Sequence, residues 1–249
     1  LNYLGLFNSD TVGTGVLWSV KNQAGGVTYA GHDSSGADIQ LGGEVIQVTS
    51  SVLGNGITLK AGLEDINDTN NHRAGTAVGV ISYAGDNITA HATLIEAGIL
   101  DGTPDVFAYH TGFTATFDKF TLGAAIAGDS TDYYDGLVTA QANLDMFKLA
   151  ASGEFLHYSD DVTNTSFFSQ DGDTTNLGTD PAAGKNGFGA GLSATMAISD
   201  GVSLNLGGRY FDSDTAAHGN EGYQIAASLV AAVTETITLT GEIGVFGTD

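Results

Sequence analysis

Apolar and polar residues alternate over short segments that are joined in pairs by tight turns, and this pattern dominates the sequence. In the clearest pair, every second residue of 188–198 and nearly every second residue of 202–210 is apolar, and Ser199-Asp200-Gly201 separates the two segments. The residues between the apolar positions are small or polar. A period of two on both sides of a glycine-containing turn predicts a β-hairpin.

Seven such hairpins follow one another along the chain. Their fourteen predicted strands cover residues 15–22 and 26–31, 39–52 and 57–63, 77–84 and 88–94, 107–117 and 120–127, 137–144 and 147–157, 186–199 and 202–211, and 223–233 and 237–245. Residues 1–8 are a candidate for a fifteenth strand. The turns within hairpins have two to four residues, whereas the segments between hairpins are longer and hold most of the Asp residues.

This alternation of short and long connections predicts an all-β fold, an antiparallel up-and-down transmembrane β-barrel of about 16 strands, with long acidic loops on one side. Most predicted strands have about the 9–11 residues that cross a bilayer when tilted. The apolar face would then meet lipid, and the polar face would line water. We expect residues 1–249 to form a single barrel domain that is incomplete at the C-terminus. The lack of an initiator Met or signal peptide favours a processed or truncated N-terminus.

The charge balance excludes several classes of protein. The chain has only 7 Lys and Arg residues but 29 Asp and Glu residues, for a net charge of −22. Nucleic-acid binding is excluded because it needs clustered basic side chains. The chain has no Cys, which excludes disulfides and thiolate metal sites. The sequence has no run of about 18 apolar residues and therefore predicts no membrane-spanning helix.

Catalytic signatures are missing from the sequence. It contains no nucleophile elbow, His-Glu-x-x-His, phosphate-binding loop or dinucleotide fingerprint. We therefore expect a protein that is not an enzyme and has no bound cofactor.

Charged residues occur within the polar faces of the predicted strands. They are Lys60, Glu64, Lys148, Glu154, Arg209 and Glu242. A water-filled pore selects ions through charges in its lumen, so these six are the predicted pore-lining residues. The three basic side chains would oppose the three acidic ones across the pore and give a transverse field. Exposed structural ion pairs are the alternative. The excess of acidic residues predicts weak cation selectivity.

Large aromatic residues lie near the ends of many predicted strands. They are Trp18, Tyr83, Phe113, Phe117, Phe120, Phe147, Phe155, Phe188, Tyr210, Tyr223 and Phe246. This placement is typical of the aromatic girdles of membrane barrels. The alternative is the ordinary enrichment of aromatic residues in β-strands.

The hairpins at 187–211 and 222–247, with their Ala- and Gly-rich alternation and acidic loops, resemble bacterial outer-membrane general porins of the alphaproteobacterial type. The resemblance implies a homotrimer of 16-stranded barrels in the outer membrane of a Gram-negative cell, in contact with lipid and lipopolysaccharide. It also implies passive diffusion of small hydrophilic solutes. These porins constrict the pore with a long third loop, whereas the corresponding segment here, 66–72, is short. Residues 159–185 are the longest candidate for that role.

Two acidic segments offer oxygen ligands to a cation. Asp65 and Asp68 lie in one segment, and Asp171 and Asp173 lie in the other. Neither matches an EF-hand loop, so the choice is between Ca²⁺ binding and solvated acidic loops. The six His residues are dispersed and are interpreted as loop or lumen residues. A second function stays open, an acidic Ca²⁺-binding protein of the cell surface such as an S-layer or adhesin module.

Overall fold

A computed structural model describes residues 45–64, 66, 74–102, 104, 107–130, 134–157, 186–213 and 221–248. These residues form twelve strands: β1 (Ile46–Ser50), β2 (Ile57–Glu64), β3 (Thr76–Ala84), β4 (Ile88–Glu96), β5 (Phe107–Phe117), β6 (Phe120–Asp129), β7 (Tyr134–Leu144), β8 (Phe147–His157), β9 (Asn186–Ser199), β10 (Val202–Ser213), β11 (Gly222–Ala232) and β12 (Thr238–Thr248). All twelve belong to one antiparallel sheet whose strand order is the order of the chain.

The eleven predicted strands from residue 57 onward are confirmed, and so is the up-and-down topology. The predicted strand at 39–52 is described only from residue 45, and there it forms β1 at Ile46–Ser50. Strands β5, β8 and β9 have the predicted bounds, and most other ends differ from the prediction by one to three residues. The predicted strands at 1–8, 15–22 and 26–31 lie outside the described residues, so the total of about 16 stays a prediction. Within the described ranges, no helix has the length and apolar character that crossing a membrane requires.

Tight turns close the hairpins because a few residues adopt the left-handed backbone conformation. Asp118 has φ 52° in the two-residue connection between β5 and β6, and Asp145 has φ 27° between β7 and β8. Gly201 has φ 76° between β9 and β10. Asp and Gly tolerate positive φ better than other residues, and such turns match the twist of the paired strands.

The two faces of the sheet differ in polarity and burial. One face, here called the apolar face, carries large exposed side chains on successive strands. One example from each of β2 to β12 is Leu59, Ile81, Leu94, Phe113, Leu122, Val138, Leu149, Leu192, Leu206, Ile225 and Ile243. The other, the polar face, carries small or polar side chains that are largely buried. They include Thr93, His110, Gly123, Thr139, Ser193, Asn205 and Ser228.

This distribution is the reverse of that in a water-soluble β-protein. Leu192 is 68% exposed on β9, while the next residue, Ser193, is 9% exposed on the opposite face. A few apolar side chains such as Ile95 and Leu137 are buried on the polar face, but most of its residues are Gly, Ala, Ser and Thr. Water-soluble monomers rarely expose continuous apolar surface larger than a few hundred Å². The apolar face therefore requires an apolar environment.

The candidate pore-lining face

The six charged residues predicted from the sequence occupy one phase of the strand register. Lys60, Glu64, Lys148 and Glu242 alternate with residues of the apolar face on their own strands. Glu154 is opposite the buried Leu137 in the register, and Arg209 is opposite the buried Gly191. The sheet thus places all six positions in register with its polar face. Their role in a pore stays a prediction.

A row of polar residues crosses five strands of this face, from β8 to β12. Lys148 of β8 pairs in register with Thr195, Thr195 with Asn205, Asn205 with Ser228, and Ser228 with Glu242 of β12. The Asn205 Nδ2 donates a buried hydrogen bond of 3.1 Å to the Ser228 Oγ. Because neighbouring strands lie about 4.8 Å apart, the four steps put Lys148 and Glu242 about 19 Å apart along the sheet. The row is a polar belt with opposite charges at its ends.

Charge also varies along the strands. Lys148 lies one residue from the start of β8, next to its short turn, and Lys60 lies midway along β2, whereas Glu64 and Glu154 lie toward the long connections at the other end. Lys60 and Glu64 are four residues apart, or about 13 Å along β2. Glu64 is fully buried and Lys60 is half-buried. On these two strands the acidic position lies nearer the long-loop end than the basic one, whereas on β10 the basic Arg209 lies nearer the long-loop end.

Two histidines that are distant in sequence meet on the polar face. His91 of β4 and His110 of β5 lie with Nε2 of the first 3.2 Å from Nδ1 of the second. Their ring centroids are 4.7 Å apart, with planes inclined by 55°. His110 is fully buried and His91 is half-buried. Both residues fall in the polar phase of consecutive strands, which the sequence indicates, but their contact depends on the register of β4 against β5.

Aromatic side chains lie on the apolar face near both ends of the strands. Phe117 and Phe120 are paired across one short turn, and Phe155 and Phe188 are paired near the long connections. All four are more than 40% exposed. Tyr134 stacks on His157, with ring centroids 4.8 Å apart and planes inclined by 16°. Trp18 lies outside the described residues.

No cation site can be assigned from the described residues. Asp65, Asp68, Asp171 and Asp173 lie outside them, and so does the segment 159–185 that was predicted to constrict a pore. Within the part of the chain that the structure describes, no group of three or more His, Cys, Asp or Glu side chains is placed to hold a metal ion.

No protein-family model matches the sequence, and no curated protein matches it either. Among solved structures, a porin refined at 1.8 Å resolution superposes with a TM-score of 0.52 and 12% identity, covering 79% of this chain and 74% of that one. OpdL of Pseudomonas aeruginosa superposes with a TM-score of 0.53 and 11% identity. The match covers 82% of this chain and 65% of OpdL, slightly less than two thirds of its length.

OccK8 (OprE) of Pseudomonas aeruginosa gives a TM-score of 0.50 and 13% identity, with 89% of this chain and 70% of that chain covered. Identities this low carry information about the fold alone. The chain has the up-and-down β-barrel fold of the porins.

Proposed function

We propose that the protein is an outer-membrane porin, a water-filled channel through which small hydrophilic solutes and ions diffuse passively. The observation that carries this proposal is the reversed polarity of the sheet, with large apolar side chains exposed and polar side chains on the opposite face. In water, that apolar face would be strongly unfavourable because burial of apolar surface drives folding. In a bilayer it is in contact with hydrocarbon, and the polar face lines water.

The dimensions of the strands support a membrane location. Strand β5 has eleven residues, and the exposed Phe107 and Phe117 are at its two ends. Ten residue steps cover about 33 Å along a strand. A tilt of about 40° reduces this length to about 25 Å along the membrane normal, the height of the apolar band in outer-membrane barrels. The aromatic residues at the two ends would then lie at the two interfaces with headgroups.

We further propose that the channel is weakly cation-selective. The chain carries a net charge of −22, and the acidic positions on β2 and β8 lie toward the long connections. A negative potential at a pore mouth raises the local concentration of cations and lowers that of anions. Lys60, Lys148 and Arg209 limit this preference, so the selectivity is weak.

The other expectations belong to the same proposal. The protein would form a homotrimer and contact lipid and lipopolysaccharide through its apolar face. Ca²⁺ at Asp65, Asp68, Asp171 or Asp173 would link acidic loops to each other or to anionic headgroups, and the protein would have no catalytic activity. The rival function, a Ca²⁺-dependent S-layer or adhesin module, does not account for an apolar face that continues over the described strands.

Planar-bilayer recording tests the proposal. Purified protein is expected to produce stepwise increases in conductance, and a salt gradient to give a reversal potential with the sign of weak cation preference. The protein should also stay in the detergent-extracted membrane fraction and migrate as a heat-modifiable oligomer. Release from cells by a chelator, without channel steps, would support the S-layer or adhesin function instead. Channel steps with clear anion preference would contradict only the proposed selectivity.

A further inference from the structure

A recess of about 320 Å³ opens on the polar face where β2, β3, β4 and β5 lie side by side. The polar residues of this face that line it are Thr58 and Lys60 of β2, Ser82 of β3, Thr89 and His91 of β4, and Thr114 of β5. Tyr83 of β3 also lines the recess but belongs to the apolar phase of its strand. A water molecule in the liquid occupies about 30 Å³, so the recess has room for a small ion and part of its hydration shell.

The strand register explains why a recess forms at this place. Thr58 pairs with Ser82, Ser82 with His91, and His91 with Gly112, so one cross-strand row ends in a residue without a side chain. Thr89 pairs with Thr114 in the neighbouring row. Gly112 leaves space beside the His91 ring, and the hydroxyl groups of both rows surround that space.

The chemistry of the lining favours an anion. Lys60 contributes an ammonium group, and the four hydroxyl groups and the His91 imidazole contribute further hydrogen-bond donors. Among the described residues that line the recess, none is a carboxylate. This is notable in a chain with 29 acidic residues and 7 Lys and Arg. Hydrogen bonds from charged donors to anionic oxygens are shorter and stronger than neutral ones.

We propose that this recess, here called the anion recess, binds a tetrahedral oxyanion of the sulfate and phosphate class. Hydroxyl donors on four adjacent strands surround the ion, and Lys60 supplies the compensating charge. The proposal rests on the proposed function in one respect, namely that the polar face lines a water-filled channel through which the ion arrives. The ion would then bind transiently at the wall of a channel whose net charge favours cations.

The His91–His110 contact makes the affinity depend on pH. In the neutral pair, one ring nitrogen donates to the other across the 3.2 Å contact. Protonation makes both nitrogens of a ring donors and adds a positive charge beside the bound ion. On this face of the described strands β2 to β6, the other titratable positions are Lys60 and Glu64 on β2 and Asp129 on β6. Affinity for a dianion is therefore highest when the histidine pair is protonated and declines as the pH rises.

Isothermal titration calorimetry of the full chain in detergent tests the anion recess without requiring conduction. Sulfate is the probe because its charge stays constant between pH 5.5 and pH 8. Saturable binding is expected, and Lys60→Gln should weaken it at least about tenfold, the effect of losing one charged hydrogen bond. Ser82→Ala keeps every charge and should weaken binding by a smaller factor. Lys148→Gln, which removes the same charge from the same face six strands away, should leave binding unchanged.

The pH arm compares sulfate affinity at pH 5.5 and pH 8. The wild-type protein should bind about tenfold more tightly at the lower pH, the effect of one added charge close to a dianion in water. His91→Gln should abolish most of this difference. Circular dichroism and heat-modifiability show whether each variant is folded. If Lys60→Gln does not fold, Ser82→Ala provides the test of the anion recess.

The outcomes separate this proposal from the channel function. An absence of saturable sulfate binding in a protein that conducts ions would overturn the anion recess and leave the channel intact. Equal losses in Lys60→Gln and Lys148→Gln would also overturn it, since they would indicate general electrostatics. Sulfate binding without conduction would retain the recess and contradict the channel.

Discussion

The two faces of the sheet belong to the same strands but differ in the size, polarity and exposure of their side chains. The apolar face consists of large side chains such as Leu192 and Val138 that stay well exposed, whereas the polar face consists of small hydroxyls and glycines that are mostly buried. On the apolar face, the choice of side chain is set by contact with lipid hydrocarbon. On the polar face, it is set by contacts between neighbouring side chains, such as the Asn205–Ser228 hydrogen bond. Substitutions placed in pairs, one on each face, test this difference.

A charge on the apolar face should have the largest effect. Leu192 lies near the middle of β9 and is 68% exposed, so Leu192→Lys puts an ammonium group into the hydrocarbon. We expect it to lower the free energy of unfolding in lipid vesicles by about 2–4 kcal/mol. Thr195→Lys, on the polar face of the same strand, should lower it by less than about 1 kcal/mol. Urea titration followed by tryptophan fluorescence or gel mobility measures both, and equal losses would indicate that the faces are not distinguished by lipid.

The buried hydrogen bond on the polar face should give the next effect. Asn205→Ala leaves the Ser228 Oγ without its donor and is expected to destabilise the protein by roughly 1–3 kcal/mol. In a double-mutant cycle with Ser228→Ala, the coupling energy should be about 1 kcal/mol. A coupling energy near zero would show that water replaces the hydrogen bond at no cost.

Two glycines on neighbouring strands provide a comparison of packing. A Cβ at Gly123, on the polar face, would lie 2.7 Å from the Thr139 Oγ1, whereas a Cβ at Gly136, on the apolar face, would meet no atom within 4 Å. Gly123→Ala should therefore destabilise the protein by about 1 kcal/mol. Gly136→Ala should be neutral or stabilising by up to about 1 kcal/mol, since it reduces the entropy of the unfolded chain. The opposite order of unfolding midpoints would contradict the assignment of the faces.

The two ends of the polar belt should shift ion selectivity in opposite directions. Removing the charge of Glu242 with Glu242→Gln should move the reversal potential toward anions, and Lys148→Gln should move it toward cations. A unit charge about 10 Å from a permeating ion contributes about 0.4 kcal/mol in water, so each permeability ratio should change about twofold. Shifts in the same direction would show that neither side chain faces the conducting path.

The smallest effect is expected outside both faces, at the turns. The Lys119 Nζ lies 2.9 Å from the Asp145 Oδ1 and connects the β5–β6 turn to the β7–β8 turn. Both side chains are well exposed, so the pair is screened by water and salt. Lys119→Gln should change the free energy of unfolding by no more than about 0.5 kcal/mol. A larger loss would indicate that this ion pair between the two turns contributes more to stability than exposed ion pairs usually do.

The strands could be predicted from the sequence because their signals are local. Alternation of period two and a turn such as Asp118-Lys119 or Asp200-Gly201 lie within one hairpin, so no distant contact is needed to recognise them. The phase of Lys60, Lys148 and Glu242 was predicted correctly for the same reason. Contacts between hairpins were different. The meeting of His91 and His110 depends on the register of β4 against β5, which the longer connection between them sets and which no local pattern encodes.

The anion recess was out of reach of the sequence analysis for a related reason. Lys60 had been assigned to the pore wall, but Ser82, Thr89 and Thr114 were unremarkable hydroxyl residues in their own strands. Only the combined register of four strands brings them around Gly112. The side chains of such a site come from four separate strands, so no single segment of the sequence contains the whole site.

The agreement between strand order and chain order has a consequence for how such proteins diverge. Every described strand pairs only with its neighbours in sequence, so a hairpin can be added or removed without changing any pairing elsewhere. A barrel built in this way can vary in circumference by whole hairpins while each position keeps a single requirement, apolar on one side and small or polar on the other. Many residues satisfy that requirement equally well. Structures with 11–13% identity can therefore share one architecture, and the particular side chains on the inner wall remain open to selection for the solutes that pass.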